Sequence, residues 1–396
     1  MTERGIPATL CEAFQGTVAR YPLEVALRTP GGAKTFTWRE YADRVREIAA
    51  GLAGLGVGYG DTVALMMTNR PEFHLVDTAV FHLGAVPFSI YNTFAPEQIT
   101  QVLSNAASRV VVCEEQFAAP LLAVRDGTAV EHVVCVEGNR GGTVTLEALV
   151  AGGDPAFGFE ACWQAVQPDD VLTLIYTSGT TGPPKGVEIT HAQMLAELTA
   201  MSSLMPHGVG DRAISYLPMA HIAQRWGSHY NGMFTGMQAT AVADPKDLLG
   251  ALQDVRPTTF GGVPRVWEKL KAGIEVMVAY EPDQAKRLAM QQAFETGHQY
   301  VRAAQAGQVP ADLAAAYRRA DEQVLSKIRS AVGLDQLRIA VSGAAPIAPE
   351  VLEFMLALGV PVAEVWGSRS FPASGPPTRP VRSGSARSAR RSLAWS

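Results

Sequence analysis

Two hydrophobic periods alternate along the first third of this chain. Leu10 to Tyr21 carries the helical period and is followed by a short hairpin pattern. Thr37-Trp-Arg-Glu40 is a capping box, with a hydroxyl at the N-cap and a glutamate three residues on. It opens a helix that buries Tyr41, Val45, Ile48, Leu52 and Leu55, spaced by four, three, four and three. Glycines 54, 56, 58 and 60 stop that helix. Asp61 to Met67 then reads as a strand, Pro71 to Leu83 as a helix and Ala85 to Ile90 as a strand. Pro96 to Ala106 is the next helix and Arg109 to Cys113 the next strand. Strands alternating with helices of this length predict βαβ units and a parallel sheet covered on both faces, an α/β protein.

The signal weakens over residues 114–170 and then returns. Val171 to Tyr176 and Val187 to Thr190 read as strands and His191 to Met205 as a helix. Ala213 to Leu217, Gln238 to Val242 and Thr258 to Val263 are further strands. Residues 264–330 are helical in composition. Leu313, Tyr317, Ala320, Val324 and Ile328 form a stripe that reads as core packing before it reads as a membrane face. Leu337 to Ser342 and Val360 to Val365 are strands flanking a helix at Pro349 to Leu358. The expectation is two packed parallel-type α/β subdomains, at about residues 40–190 and 191–367, without an internal repeat.

Length and charge refine this. The 396 residues exceed one simple core, and 47% hydrophobic with 18% charged is an ordinary soluble composition. The formal net charge of −5 gives no electrostatic case for nucleic acid. Cys11, Cys113, Cys135 and Cys162 form no C-x-x-C pair and no metal spacing; Cys113 and Cys135 sit in apolar runs and read as buried thiols of a reducing compartment. The N-terminus MTERGIPATLCEAF lacks a basic and an apolar region of signal-peptide type, and no apolar run approaches the ~18 residues of a membrane span. A cytoplasmic location follows as the expectation, with peripheral contact at the inner face of a membrane left open.

The chemistry concentrates between Leu174 and Gly186, in LIYTSGTTGPPKG, where Thr177 to Gly186 are ten consecutive Gly, Ser, Thr, Pro or Lys residues. The loop joins two extended segments and does not open a helix. That excludes a Walker loop, which ends in Gly-Lys-Ser/Thr before a helix, and a dinucleotide fingerprint, whose glycine spacing is absent. Polyphosphate is still the ligand this composition suits. Glycines let backbone N–H groups approach an anion, four hydroxyls can donate, and Lys185 adds one positive charge. A flexible polar loop is the plain alternative.

As an ordered string, Leu174 to Lys185 resembles the AMP-binding signature of the adenylate-forming enzymes. Other stretches are similar to the long-chain fatty-acyl-CoA synthetase branch of that superfamily: SIYNTFAPEQI (89–99), YLPMAHIAQRWG (216–227), GGVPRVWEKL (261–270), AVSGAAPIAPEV (340–351) and AEVWG (363–367). The resemblance implies ATP-dependent formation of an acyl-AMP from a fatty acid, then transfer to coenzyme A, with Mg2+ as the metal of the nucleotide. It implies that Thr177, Ser178, Gly179, Thr180, Thr181, Gly182 and Lys185 hold phosphate, with Thr181 and Lys185 serving catalysis. It places Gly343, Ala344, Ala345, Glu364, Val365, Trp366 and Gly367 at the nucleotide, Trp366 stacking on adenine, and His221 beside the acyl carboxylate. Arg225 and Arg265 are motif-placed too, although arginine is often only an ion-pair partner. A remnant that binds nucleotide or acyl chain without catalysis is a second reading. An adenylation domain loading a carrier-protein thiol is a third, which the helical segment 271–330 and Val263-Pro-Arg265 disfavour.

The pattern then departs from the family. Its acidic Mg2+ residue should fall three residues after Gly367, where Ser370 stands, with Arg369 before it. No small C-terminal domain follows, and with it goes the adenylation lysine, a loss on the order of 10²–10³ in rate by analogy with an oxyanion donor. Little or no ligase activity is therefore the expectation. Residues 368–396 hold eight Ser, six Arg and four Pro with no Lys, Asp, Glu or Ile, leaving 27 basic against 38 acidic residues, −11, in the rest. Such a segment buries too little apolar surface to order. It reads as a disordered basic tail of the composition a GC-rich gene yields out of frame. Sequencing the DNA past codon 367 tests this: the expected result is another frame that continues with family motifs, and its absence overturns the idea.

Overall fold

The computed structural model describes residues 5–177, 185–367 and 393–395; of 177, 366, 367 and 393–395 it describes the backbone alone. Two compact units divide the chain, residues 1–210 with 215–247, and residues 211–214 with 248–396.

In chain order the first unit holds α1 (Leu10–Arg20), β1 (Val25–Arg28), β2 (Thr35–Thr37), α2 (Trp38–Gly54), β3 (Thr62–Met66), α3 (Pro71–His82), β4 (Val86–Ser89), α4 (Pro96–Ala106), β5 (Val110–Cys113), α5 (Glu115–Val124), β6 (His132–Cys135), β7 (Val144–Thr145), α6 (Leu146–Ala151), α7 (Phe159–Ala165), β8 (Val171–Thr177), β9 (Lys185–Thr190) and α8 (His191–Leu204). After β10 (Arg212–Ser215), which straddles the division, come α9 (Ile222–Gln224), a π-helical turn at Arg225–Tyr230, α10 (Asn231–Thr235) and β11 (Gln238–Ala241).

The seven-stranded sheet runs β7-β6-β5-β3-β4-β8-β9. Every pairing in it is parallel except that of β9, which folds back on β8 with Thr177 opposite Lys185. The parallel strands read as continuous apolar runs because both faces are covered. On one face Val111, Val133 and Phe88 pack under Ile99, Val102 and Leu103 of α4 and Leu121 of α5. The capping box of α2 forms as expected: Glu40 N–H donates to Thr37 Oγ1, and the Glu40 carboxylate accepts the Thr37 N–H at 2.8 Å. Such a cap contributes about 1 kcal/mol. A second one, Thr190 with Gln193, opens α8. α3 stands apart because all twelve of its residues are buried, Glu72, His74, Asp77, Thr78 and His82 among them.

Residues 191–210 and 215–247, assigned from sequence to the second subdomain, pack in the first unit. The reason is long-range: β11 pairs parallel with β1, Leu27 opposite Ala239, and Thr17 Oγ1 donates to the Met233 carbonyl at 2.6 Å. Periodicity cannot report a strand pair two hundred residues apart.

The second unit holds α11 (Leu248–Val255), β12 (Thr259–Gly262), α12 (Pro264–Ala279), α13 (Gln284–Gln305), α14 (Ala311–Ala320), a π-helical turn at Asp321–Leu325, α15 (Ser326–Ala331), β13 (Ile339–Ser342), α16 (Pro349–Ala357), β14 (Val362–Gly367) and β15 (Leu393–Trp395). Its sheet, β12-β13-β14-β15, is parallel throughout. The helical stripe is only half-buried along α14, which holds no buried residue, and it shifts at the π-turn. Leu325, not Val324, is fully buried, and Ile328 stays in register after the extra residue is absorbed. In the tail, read as disordered throughout, the backbone of Leu393–Trp395 pairs with β14. These residues sit in the tail's one apolar triplet, Leu-Ala-Trp.

Gly333 shows how tightly the connections close. It lies at φ +76°, and a Cβ there would sit 2.1 Å from the Leu252 carbonyl oxygen. Gly333→Ala is expected to cost at least about 2 kcal/mol of stability, from left-handed strain plus the clash. Gly58→Ala meets nothing within 4 Å and should be neutral. Urea unfolding of both variants checks this; equal midpoints would refute it.

Candidate functional site

In the first unit the expected phosphate loop falls between β8 and β9. Thr177 ends β8 and Lys185 begins β9 directly opposite. Ser178, Gly179, Thr180, Thr181 and Gly182 lie outside the described residues. Lys185 is exposed and borders an open groove of about 670 Å³ lined also by Tyr59, Asp169, Asp170, Tyr176 and Glu188. Three carboxylates against one ammonium make that groove unsuited to polyphosphate.

His221 lies in the turn after β10. Its backbone N–H donates to the Pro218 carbonyl at 2.9 Å, and its Nδ1 accepts the Ala223 N–H at 3.2 Å, capping α9. A neutral imidazole accepting at Nδ1 carries its proton on Nε2.

Arg225, four residues on, is fully buried. Its Nη1 contacts Asp77 Oδ2 at 2.5 Å and donates to Tyr230 Oη at 2.8 Å; its Nη2 donates to Ser89 Oγ at 3.0 Å. The other Asp77 oxygen accepts from His229 Nε2 at 2.8 Å, and His229 Nδ1 lies 2.8 Å from His74 Nδ1. With His229 donating to Asp77, its Nδ1 accepts from His74, which leaves His74 Nε2 buried without a hydrogen-bond partner among the described residues. Burial alone would raise the Asp77 carboxyl, yet Arg225 and His229 hold it below the usual carboxylate range. Burial pulls His229 down despite Asp77, and pulls His74 well down with help from His229 and Arg225. The network therefore holds one carboxylate, one guanidinium and two neutral imidazoles.

In the second unit the motif after β13 lies at the carboxyl edge of parallel strands, where open α/β sheets take ligands. Gly343 N–H donates to the Gly262 carbonyl at 3.2 Å, and a Cβ on Gly343 would come within 2.8 Å of Val365 Cγ2. Ala344 is held at φ +70°, a left-handed conformation rare for a residue with a Cβ. Ala344 and Ala345 are exposed, and a Glu364 oxygen lies 3.4 Å from the Ile347 N–H, tying the turn to β14. Val365 supplies the wall over Gly343, while Trp366 and Gly367 end β14 beside β15; the Trp366 side chain lies outside the described residues. Arg265 is exposed on the first turn of α12. Among the described residues no cluster of three or more His, Cys, Asp or Glu could hold a metal ion. Ser370 lies outside them. Glu364 is the carboxylate available at this edge, and one carboxylate already facing a backbone donor is not a Mg2+ ligand set.

The parallel α/β architecture of each unit is that of an α/β enzyme fold. The chain belongs to the AMP-binding enzyme family, whose model matches residues 14–369. It is 52% identical over 229 residues to fadD11 of Mycobacterium tuberculosis, a fatty-acid–CoA ligase by its given name; the match covers 57% of this chain and 40% of that protein. It is 31% identical over 390 residues to the long-chain-fatty-acid–CoA ligase ACSBG2 of Xenopus laevis, covering 94% of this chain and 52% of the relative. It thus spans about half the length of these relatives. The N-terminal domain of FACL13 from M. tuberculosis shares the fold with a TM-score of 0.66 and 20% identity, over 91% of this chain and 75% of that one. No helix among the described residues is long and apolar enough to cross a membrane.

Sequence reasoning missed Asp77, His74 and His229, because single polar residues within an apolar helix carry no motif. The visible signal was a Pro71 to Leu83 helix with two acids and two histidines on no single face.

Four buried histidines, His74, His82, His191 and His229, are all pulled down by burial, His191 to about 4 and His82 to about 3. A depressed histidine favours folding above its unfolded value near 6.5 and loses that contribution as pH falls toward the native value. Each costs about 1.4 kcal/mol per pH unit in that window, so stability should hold from pH 8 to 7 and collapse below about pH 6. Equal urea midpoints at pH 7 and 5 would refute this.

Proposed function

We propose that this chain carries the nucleotide- and carboxylate-binding part of a fatty-acid–CoA ligase. The observation that carries the reading is the turn after β13, where Gly343 has no room for a Cβ and Ala344 keeps a strained backbone at the carboxyl edge of the sheet. Strain of this kind persists where the surrounding structure fixes it and clusters at ligand sites, although Ala107 and Arg256 also hold positive φ. The family match and the relatives' names support the acyl side of the reading.

In the proposed reaction a fatty-acid carboxylate oxygen attacks the α-phosphorus of ATP, pyrophosphate leaves, and the acyl-AMP then loses AMP to the thiol of coenzyme A. The chain's own work is positioning and charge stabilisation. Gly343, Ala344 and Ala345 present backbone to the nucleotide, with Glu364 and Val365 holding their turn and Trp366 and Gly367 following on β14. Lys185, with Thr177 to Gly182, faces phosphate. His221, with its proton on Nε2, donates to the acyl carboxylate. Mg2+, when bound to the nucleotide, would neutralise phosphate charge; the described residues do not assemble its ligands. The helical segment α12 to α15 favours the long-chain acyl-CoA synthetase branch over an adenylation domain that loads a carrier-protein thiol. Ser370 and Arg369, where an acid is expected, favour a second reading in which the chain binds nucleotide and turns over little.

Pyrophosphate release with ATP and palmitate separates the two readings, turnover supporting the ligase. Calorimetry with ATP tests the loop. Lys185→Ala should weaken binding about tenfold or more, the contribution of a charge-assisted contact. Unchanged affinity would remove Lys185 from the phosphate site.

A further inference from the structure

The peptide of Leu217 is gripped at both ends by side chains. Its N–H donates to Gln224 Oε1 at 3.0 Å, and its carbonyl accepts from Asn69 Nδ2 at 2.8 Å. One hydroxyl couples the two grips: Ser215 Oγ donates to Asn69 Oδ1 at 2.7 Å and accepts from Gln224 Nε2 at 3.2 Å. Two residues on, the Met219 carbonyl accepts from Arg225 Nε at 3.1 Å, and Arg225 is itself fixed on Asp77. Asn69, Ser215, Gln224 and Arg225 are all buried, while Pro218 between the grips is exposed. The chain thus leaves β10 and makes an outward turn whose backbone is held from below by side chains of the protein interior.

That turn ends at His221, whose N–H bonds back to Pro218. We infer that Asn69, Gln224 and Arg225 are positioning residues: they set the path of residues 217–219 and so fix where the His221 imidazole stands and which nitrogen carries its proton. The catalytic part of this inference rests on the reading of His221 as the group facing the acyl carboxylate. Buried side-chain amides suit the task. Each offers a donor and an acceptor a fixed distance apart, and the low dielectric around them strengthens each bond. Arg225 therefore serves the motif Leu217-Pro-x-x-His221-x-x-x-Arg225 without touching substrate.

The test uses the full chain with Gln224→Met, which keeps volume and removes the three side-chain hydrogen bonds to Leu217, Ser215 and Ser228. Ser228→Ala is the control: Ser228 accepts from Gln224 at 2.6 Å but does not touch Leu217. Hydrogen exchange over residues 216–221 should speed up about tenfold in Gln224→Met, one backbone hydrogen bond's worth, while β3 keeps its protection. Long-range nitrogen–proton spectra should show the His221 ring going from a single Nε2–H form to a mixture, with His298 unmoved. Ser228→Ala should change neither. Unchanged exchange over 216–221, or an equal rise throughout the first unit, would overturn the inference. If Gln224→Met does not fold, Asn69→Ser, which loosens the Leu217 carbonyl, carries the same test. Hydroxylamine trapping of acyl-adenylate forms the second arm: KM for the fatty acid should rise about tenfold with kcat little changed. A wild-type chain that forms no adenylate overturns the functional reading, and the exchange result still decides the clamp.

Discussion

The contact between Arg225 and Asp77 is the constraint on which the first unit depends. α3 is buried along its whole length, and Asp77 sits on it with no exposure. An ionised carboxylate in that place costs several kcal/mol unless a charge and hydrogen bonds meet it. Arg225 arrives from 148 residues away with both, and its guanidinium is satisfied in turn by Tyr230, Ser89 and the Met219 carbonyl. Removing either charge would strand the other, at about 3–5 kcal/mol. The segment 219–230 can therefore take one position against α3.

The π-helical turn at Arg225–Tyr230 follows from the same demand. A π-turn closes on the fifth residue, so positions 225 and 230 come to one side with 229 beside them. An α-helix would keep 225 and 229 on one face but carry 230 away from it, so Tyr230 could not accept from Arg225. Chain irregularity here is the geometry that brings the Tyr230 hydroxyl to the guanidinium that meets Asp77. Because Arg225 also holds Met219, the charge balance under α3 is carried outward into the turn that ends at His221.

Much of the fold was legible because local rules and tertiary structure agree. The Thr37–Glu40 box and the Pro96 to Ala106 helix form where the sequence places them, and the parallel strands read as apolar runs. What was hidden depends on residues far apart. The pairing of β11 with β1 moves residues 191–210 and 215–247 into the first unit, and the stripe of α14–α15 slips from Val324 to Leu325 because a π-turn absorbs one residue. The hairpin at Thr177 and Lys185 was readable as two extended segments, but its antiparallel register was not. At the site, residue types pointed to Gly343, Ala344, Lys185 and His221, since glycine runs and motif spacing are local. Asp77, Asn69 and Gln224 gave no such sign: a buried polar residue is defined by its partner, and here each partner lies in another element.

Motif residues in this chain are selected by different physics, and that decides what a match to the motif means. Gly343 is demanded by space, with Val365 closing over it, whereas Ala344 keeps a left-handed backbone angle that would suit glycine or asparagine better. Arg225 is demanded by a buried charge and has no exposed atom to offer a ligand. His221 alone of the Leu217 to Arg225 set presents a ring from a turn, and its tautomer is fixed by a backbone N–H two residues on. The spacing of four between His221 and Arg225 is then a mechanical link: a one-residue insertion would keep both residue types yet part the imidazole from the frame that aims it. A sequence carrying the histidine and arginine without a carboxylate at the position of Asp77 would match the motif and lack the buried charge that holds Arg225 in place.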